Sequence, residues 1–83
     1  MSTFVIKPRS WENVKGQETT RFDAFDANRL IAWATVDTTH ERWSLTHFCV
    51  EPGGDVISLR LRVLSHVIAR AAELGASIWM PER

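Results

Sequence analysis

The fold is decided by two apolar runs, Leu30-Ile31-Ala32-Trp33-Ala34-Thr35-Val36 and Trp43-Ser44-Leu45-Thr46-His47-Phe48-Cys49-Val50. The first run combines β-branched and aromatic residues with nearly continuous apolarity, which is typical of a strand covered on both faces. The polar link between the runs is short, so together they predict an antiparallel hairpin. Simple alternation along the second run predicts one strand face that carries Trp43, Leu45, His47 and Cys49.

One long helix is predicted after the hairpin. Asp55 is a good N-cap, because its carboxylate can accept hydrogen bonds from the free amides of the first turn, and the helix should continue to about Leu74. Gly75 stands where a left-handed C-cap is expected, and residues 77–80 predict a last strand that Pro81 stops. At about 100° per residue, one apolar stripe consists of Ile57, Leu61, Leu64, Ile68 and Ala72. Val56, Val63, Val67 and Leu74 lie beside this stripe and widen it to an apolar arc of nearly half the helix circumference. An apolar arc this wide predicts packing across a sheet, and it also predicts a homodimer.

The N-terminal third has weaker signals. Phe4-Val5-Ile6-Lys7 is a short strand candidate that Pro8 closes. Residues 9–28 show no sustained period, and we predict only a loop with a helical turn or an edge strand there. The expected fold class is therefore α/β or α+β. One domain over residues 1–83 holds a small, mostly antiparallel sheet of about four strands with one long helix packed across it.

The composition limits the possible functions. The 83 residues include ten basic side chains, ten acidic side chains and a single cysteine, Cys49. Zero net charge argues against direct binding to nucleic acid or to an anionic membrane. The lone cysteine excludes an internal disulfide framework, and no apolar run approaches the roughly 18 residues of a membrane span. We expect a cytoplasmic protein of a bacterium or a phage-infected bacterium, without a cofactor.

Two short motifs frame the predicted helix, Val50-Glu51-Pro52 before it and Glu73-Leu74-Gly75-Ala76 after it. In this order and spacing, residues 30–80 resemble the central segment of the GNAT-type acetyltransferases. In that family a strand ends in Val-x-Pro, a loop of the pattern Arg/Gln-x-x-Gly-x-Gly/Ala leads into a helix, and the helix closes with Glu-Leu-Gly. The resemblance implies a half-GNAT-like β-β-α-β core.

The residues that carry the family's chemistry are replaced in this chain. Position by position, the family's Arg/Gln falls on Asp55, its first Gly on Ser58 and its second Gly or Ala on Arg60. That loop binds a pyrophosphate through backbone amides, whereas Asp55 puts a negative charge at the phosphate position. The chain also contains no tyrosine, which the family commonly uses as a general acid. We therefore expect no acetyl-coenzyme A binding and no catalytic residue.

Metal and nucleophile motifs are weak as well. The three histidines lie on a predicted loop, a strand and a helix without ligand spacing, so no metal site is predicted. His47 and Cys49 share a strand face, where such a pair can form an activated thiolate. We favour the alternative, in which Cys49 is a buried small hydrophobe.

Four tryptophans in so short a chain are many, and they are equally consistent with a binding surface, because tryptophan buries a large area at low entropic cost, and with a core. Trp33 and Trp79 are assigned to the core, whereas Trp11 and Trp43, each next to a charged residue, are expected to be partly exposed. Acids concentrate in the N-terminal third, and Arg60 projects into the apolar arc, where it needs an acid or a partner group. The candidate partner contacts are Trp11, Glu12, Glu18, Asp23, Asp26, Trp43 and Arg60.

A small chain that is charge-balanced and rich in aromatic residues is similar in type to the small phage-encoded inhibitors of bacterial defence, including anti-CRISPR proteins. The leading hypothesis is a non-enzymatic protein-binding inhibitor that blocks a surface of a nuclease or of a nucleic-acid-binding complex. The alternative is a minimal or degenerate GNAT-like acyltransferase completed by dimerisation. Acetyl-coenzyme A separates the two in a thermal-shift assay, because a ligand specific for the folded state raises the melting temperature.

Overall fold

The computed structural model describes residues 4–79. It shows a small α+β domain in which one helix lies against one face of a mixed sheet. In chain order the elements are β1 (Phe4–Glu12), β2 (Glu18–Asp26), β3 (Arg29–Asp37), β4 (Arg42–Val50), α1 (Val56–Glu73) and β5 (Ser77–Trp79). The predicted fold class is confirmed, but the sheet has five strands where about four were expected. The predicted end of the last strand, at Met80 and Pro81, lies outside the described residues.

The strands lie in the sheet in the same order as in the chain. Strands β1 to β4 pair in antiparallel fashion, and these pairs include the predicted hairpin of β3 and β4. Strand β5 lies beside β4 in parallel, because α1 carries the chain back to the starting end of β4. The sheet is therefore mostly antiparallel, with one parallel pair at the β5 edge.

The N-terminal third is regular structure. The edge strand expected as one alternative for residues 9–28 is present as the second half of β1, whereas the alternative of a loop with a helical turn is wrong, because β2 is a strand paired on both sides. Strand β1 continues through Pro8 to Glu12, because a proline that lacks an N–H group is tolerated on an edge strand. Strand β2 alternates buried and more exposed residues, and its buried side chains are Thr20, Phe22 and Ala24. This short period of two, with charged residues between the buried ones, is the sequence signal that identifies β2.

The core lies between α1 and the inner face of β2, β3 and β4. The buried alanines of β2 and β3 have short side chains, so the helix can pack close to the backbone of these strands. The largest side chains that are fully buried are Phe22, Val36, Val63 and Val67. The buried hydroxyls of Thr20 and Thr38 lie 3.0 Å apart and hydrogen-bond to each other, which satisfies these polar groups inside the core.

Strand β4 contains a β-bulge. Its pairing with β3 skips Thr46, which is therefore an extra residue that reverses the alternation of side chains along the strand. As a result, four apolar side chains of β4 reach the helix side: Trp43, Leu45, Phe48 and Val50. The prediction that His47 and Cys49 share a face with Trp43 and Leu45 is wrong. Cys49 is exposed, which corrects the expectation that it is buried.

Both predicted ends of α1 are confirmed. Asp55 is the N-cap, and its Oδ1 accepts a hydrogen bond of 3.1 Å from the N–H of Ser58. The helix ends at Glu73, and Gly75 takes a φ of 74°, which is accessible to glycine because it has no Cβ. Within residues 4–79, no helix combines the length and the apolarity that crossing a membrane requires.

The face of α1 that meets the sheet differs from the predicted stripe. The buried side chains of the helix are Leu59, Val63, Leu64, Val67 and Ala71. Of the predicted stripe, Ile57 is 75% exposed, Leu61 is 63% exposed and Ile68 is also exposed. Helical periodicity identifies the apolar arc, but the arc is wider than the sheet can cover, so periodicity does not determine which part is buried.

Candidate functional site

The sheet has one face without a covering layer, on the side opposite α1, which we call the open face. It carries the side chains that alternate with the core residues along each strand. Its side chains include Lys7, Arg9, Trp11, Arg21, Asp23, Phe25, Trp33, Asp37, Arg42, His47 and Trp79. The expectation that β3 is covered on both faces is therefore wrong: its outer side is shielded by the Arg21 side chain and not by a second layer.

Three of the four tryptophans lie on the open face. Trp11 and Trp79 are nearly half exposed, and Trp33 is half-buried. Trp33 lies on the open face because the alanines on either side of it in β3 point to the core. Trp43 is only 6% exposed, and its ring centroid lies 6.4 Å from that of Phe22 inside the core. The expected exposure of Trp11 is confirmed, whereas the assignments of Trp33 and Trp79 to the core, and of Trp43 to the surface, are wrong.

Each aromatic ring of the open face has a basic side chain over it. The pairs, with the distance from the cation to the ring centroid, are Lys7–Phe25 (5.6 Å), Arg9–Trp11 (5.8 Å), Arg21–Trp33 (4.7 Å) and Arg42–Trp79 (5.9 Å). A guanidinium stacked on a ring still presents its N–H groups at its edge. The open face therefore combines flat apolar rings with hydrogen-bond donors of positive charge.

The acids of the open face are engaged within the chain. Asp23 forms an ion pair with Arg21, in which Nε and Oδ1 are 2.5 Å apart. Asp37 accepts hydrogen bonds from the hydroxyl (2.6 Å) and the amide (3.0 Å) of Thr39, and these bonds hold the pKa of Asp37 below its ordinary value. The bases of this face that have no ion pair within residues 4–79 are Lys7, Arg9 and Arg42.

A second surface is the turn between β1 and β2, residues 12–18, which we call the hairpin tip. The Asn13 side chain organises it, because its Oδ1 accepts hydrogen bonds from the N–H groups of Lys15 (2.8 Å) and Gln17 (3.0 Å). Val14 is fully exposed at the end of this ordered turn. Glu12 and Glu18 lie directly opposite each other at its base.

The turn between β3 and β4 supports the hairpin tip from the side. The N–H of Glu18 donates to the hydroxyl of Thr39 (2.8 Å), and the hydroxyl of Thr38 donates to the Glu18 carboxylate (2.6 Å). The acids at this end of the sheet are Glu12, Glu18, Asp37 and Glu41, and the bases are Lys15 and Arg42. This end is therefore acidic, whereas the open face is basic.

The predicted contact residues are distributed over several places. Trp11, Glu12 and Glu18 come together at the base of the hairpin tip, and Asp23 lies on the open face. Asp26 lies at the opposite end of β2, where its Oδ1 is buried and has no hydrogen-bond partner within the described part of the chain. Trp43 belongs to the core. Arg60 is exposed, with its guanidinium 5.6 Å from the ring centroid of Phe48, so it contacts a ring where an acid was expected.

The sequence predictions missed the basic residues of the open face and the exposed valine of the hairpin tip. The available signal was the spacing of Arg9 and Trp11, and of Arg21 and Asp23, at two residues. In a strand, this spacing places both side chains on one face. The signal was not usable without the assignment of β1 and β2 as strands.

The start of α1 is the place where the acetyltransferase resemblance would put a phosphate. The Asp55 carboxylate already accepts the Ser58 N–H there, so a negative charge of the chain itself occupies one of the amides. No group of three or more His, Cys, Asp or Glu side chains within residues 4–79 is arranged to hold a metal ion. Comparisons of the chain with protein-family models, with curated proteins and with solved structures found no match.

Proposed function

We propose that this protein is a non-enzymatic inhibitor that binds another protein and blocks part of its surface, in the manner of the small phage-encoded anti-CRISPR proteins. The observation that carries the proposal is the hairpin tip. Its turn is ordered by Asn13 before any partner arrives, and it presents an exposed Val14 between two carboxylates. A loop that is ordered in advance loses little conformational entropy on binding, so more of its contact energy contributes to affinity.

The charge of the tip indicates a basic partner. Glu12 and Glu18 face each other across the hairpin, and like charges in that position destabilise a sheet. Cations of a partner relieve this repulsion and add charge-assisted hydrogen bonds. The partner that fits is therefore the nucleic-acid-binding surface of a nuclease or of a related complex, where the carboxylates compete with phosphates.

A pull-down from bacterial lysate, followed by an activity assay, tests the proposal. The immobilised protein should capture a nuclease or a nucleic-acid-binding complex, and the free protein should reduce the binding of nucleic acid to that purified complex. A tip variant with Glu12→Gln, Val14→Ser and Glu18→Gln should bind the complex at least tenfold more weakly, because it lacks both the carboxylates and the exposed apolar group.

The matched control is Glu51→Gln, which removes a carboxylate that follows the last residue of β4, at the end of the sheet opposite the tip. This variant should bind like the original protein. A captured complex that still binds its nucleic acid fully when saturated with the protein would contradict the proposal, and so would equal binding by the tip variant and the original.

We also propose that the protein is a homodimer whose contact is the exposed ridge of α1, formed by Ile57, Leu61 and Ile68. With Leu64 at its border, the ridge has apolar residues separated by four, three and four positions, the spacing of a helix seam. Two such ridges can pack against each other about a twofold axis, because the same surface serves both copies.

Light scattering measures the dimer directly. The protein should report about twice the 9.5 kDa of one chain at micromolar concentration, and Leu61→Glu should report one chain, since the substitution places a charge in the seam. Val14→Glu is the matched control, because it introduces the same charge at an exposed apolar residue on another surface and should leave the mass unchanged. A mass of 9.5 kDa for the original protein would refute the dimer.

The acyltransferase remains the second candidate because of the order of β3, β4, α1 and β5. That order of two strands, a helix and a strand is what the acetyltransferase resemblance implies. We propose that these four elements are a half-GNAT-like core kept for its shape. The Asp55 carboxylate accepts a hydrogen bond from the Ser58 N–H at the place where a diphosphate would need free amides. In the thermal-shift assay, acetyl-coenzyme A should leave the melting temperature of such a core unchanged, whereas it should raise the melting temperature of an active acyltransferase.

A further inference from the structure

We propose that the open face binds single-stranded nucleic acid. The proposal concerns a different surface from the hairpin tip and goes beyond inhibition of a protein partner. Its basis is the combination of three tryptophans and one phenylalanine with four basic side chains on one uncovered sheet face. Proteins bind single strands by stacking bases on aromatic side chains while basic groups follow the phosphates.

The strand register places these groups in rows across the sheet. One row joins Arg9 on β1 to Arg21 on β2 and continues through Thr35 on β3 to His47 on β4. The next row runs along the ends of the strands and has Trp11 at one edge of the sheet and Trp79 at the other. Neighbouring strands are about 4.8 Å apart, so the backbone positions of Trp11 and Trp79 are separated by roughly 19 Å. Thr19, Asp37 and Ser44 lie between the two rings, and the cations lie beside the rings: Arg9 at Trp11 and Arg42 at Trp79. A chain of several nucleotides can contact both rings with its phosphates near these cations.

The local charge explains why the zero net charge of the chain does not exclude this ligand. The bases of the open face are Lys7, Arg9, Arg21 and Arg42, and its acids are Asp23 and Asp37. Both acids are already hydrogen-bonded within the chain, as described above. A polyanion therefore meets a surface of positive local charge, although acids elsewhere balance the total.

The rings favour a single strand over the two other polyanions that the charge would admit. In a duplex the faces of the bases are already stacked on each other, so exposed rings such as Trp11 and Trp79 gain no base contact. An acidic protein surface can pair its carboxylates with the cations, but carboxylates have no flat base that stacks on the rings. The stacking contribution is therefore the property that distinguishes the proposed ligand.

Fluorescence anisotropy with a labelled 15-nucleotide oligo(dT) tests the proposal. The protein should bind the oligonucleotide, and the affinity should fall as salt rises, with a slope of about −0.7 in log K against log salt for each phosphate contact. Arg9→Glu should weaken binding by about tenfold or more. Trp79→Ala should weaken it by about tenfold, the usual loss of one stacked base, and both residues are exposed enough for the variants to fold.

The control for charge is Arg70→Glu, which makes the same change of net charge on α1, away from the open face, and should alter the affinity by less than twofold. The neutral tip variant Val14→Ser should also bind oligo(dT) normally, so failure of the tip proposal and failure of this one are separable. Absence of oligo(dT) binding at low salt would overturn the proposal. So would equal competition by poly-L-glutamate of matched charge, which indicates an acidic protein surface, or equal loss in Arg9→Glu and Arg70→Glu.

Discussion

Replacing Phe22 with alanine is expected to lower the free energy of unfolding by about 3–5 kcal/mol. Phe22 is fully buried at the centre of the core, with its ring centroid 6.4 Å from that of Trp43 and 6.0 Å from that of His66. Removing the ring leaves a cavity that these large neighbours cannot fill. Because a domain of this size has a total stability of only about 4–12 kcal/mol, the loss is a large fraction of it. Urea denaturation followed by far-UV circular dichroism measures the change.

The matched control for this prediction is Phe25→Ala, since Phe25 is the same residue type on the same strand but lies on the open face. The loss of unfolding free energy in Phe25→Ala should be about 1 kcal/mol or less, because a partly exposed ring on an uncovered face leaves no enclosed cavity. If Phe22→Ala does not fold, Phe22→Leu gives a smaller loss of unfolding free energy, which can be compared with that of Phe25→Leu. Equal losses at the two positions would contradict a core confined to one side of the sheet.

Deleting Ser44 is expected to destabilise the protein by about 3–5 kcal/mol, whereas deleting Thr46 should cost less than about 1 kcal/mol. Thr46 is the extra residue of the bulge, so its removal leaves an unbroken alternation in which the apolar residues of β4 keep their places on the helix side. Removal of Ser44 instead makes Trp43 and Leu45 direct neighbours in the strand. Their side chains then point to opposite faces, so Trp43 leaves the core if Leu45 keeps its place.

Urea midpoints of the two deletion variants and the original protein give the comparison. The small loss expected without Thr46 arises from its hydroxyl, which donates a hydrogen bond of 3.0 Å to the carbonyl oxygen of Thr35. Similar large losses in both deletion variants would mean that Thr46 is not the extra residue. The pair of deletions therefore tests the register of β3 and β4 directly.

The two proposed surfaces meet at Trp11, which lies at the base of the acidic hairpin tip and at the edge of the basic open face. Their charges are opposite, and each surface is formed by side chains from more than one strand. The equality of basic and acidic residues in the chain therefore does not describe either surface.

Local signals in the sequence were sufficient for the hairpin of β3 and β4 and for α1 with its caps. The capping hydrogen bond of Asp55 joins residues three apart, and the positive φ of residue 75 alone accounts for the glycine there. Such features depend on neighbours in the chain, so a sequence pattern can reveal them. The hairpin was predicted for the same reason, because a short polar link separates two runs of β-forming residues.

The tertiary structure alone decided which sides of these elements are buried. A single extra residue, Thr46, determines whether the second half of β4 points to the helix, and no periodic pattern marks it. Likewise, the sheet covers only part of the apolar arc of α1, which leaves Ile57 and Leu61 exposed. Trp33 lies on the open face because the alanines beside it are small enough for the helix to pack on them. The sequence by itself therefore determined the elements and their ends, which depend on near neighbours, whereas the surfaces depend on contacts between residues distant in the chain.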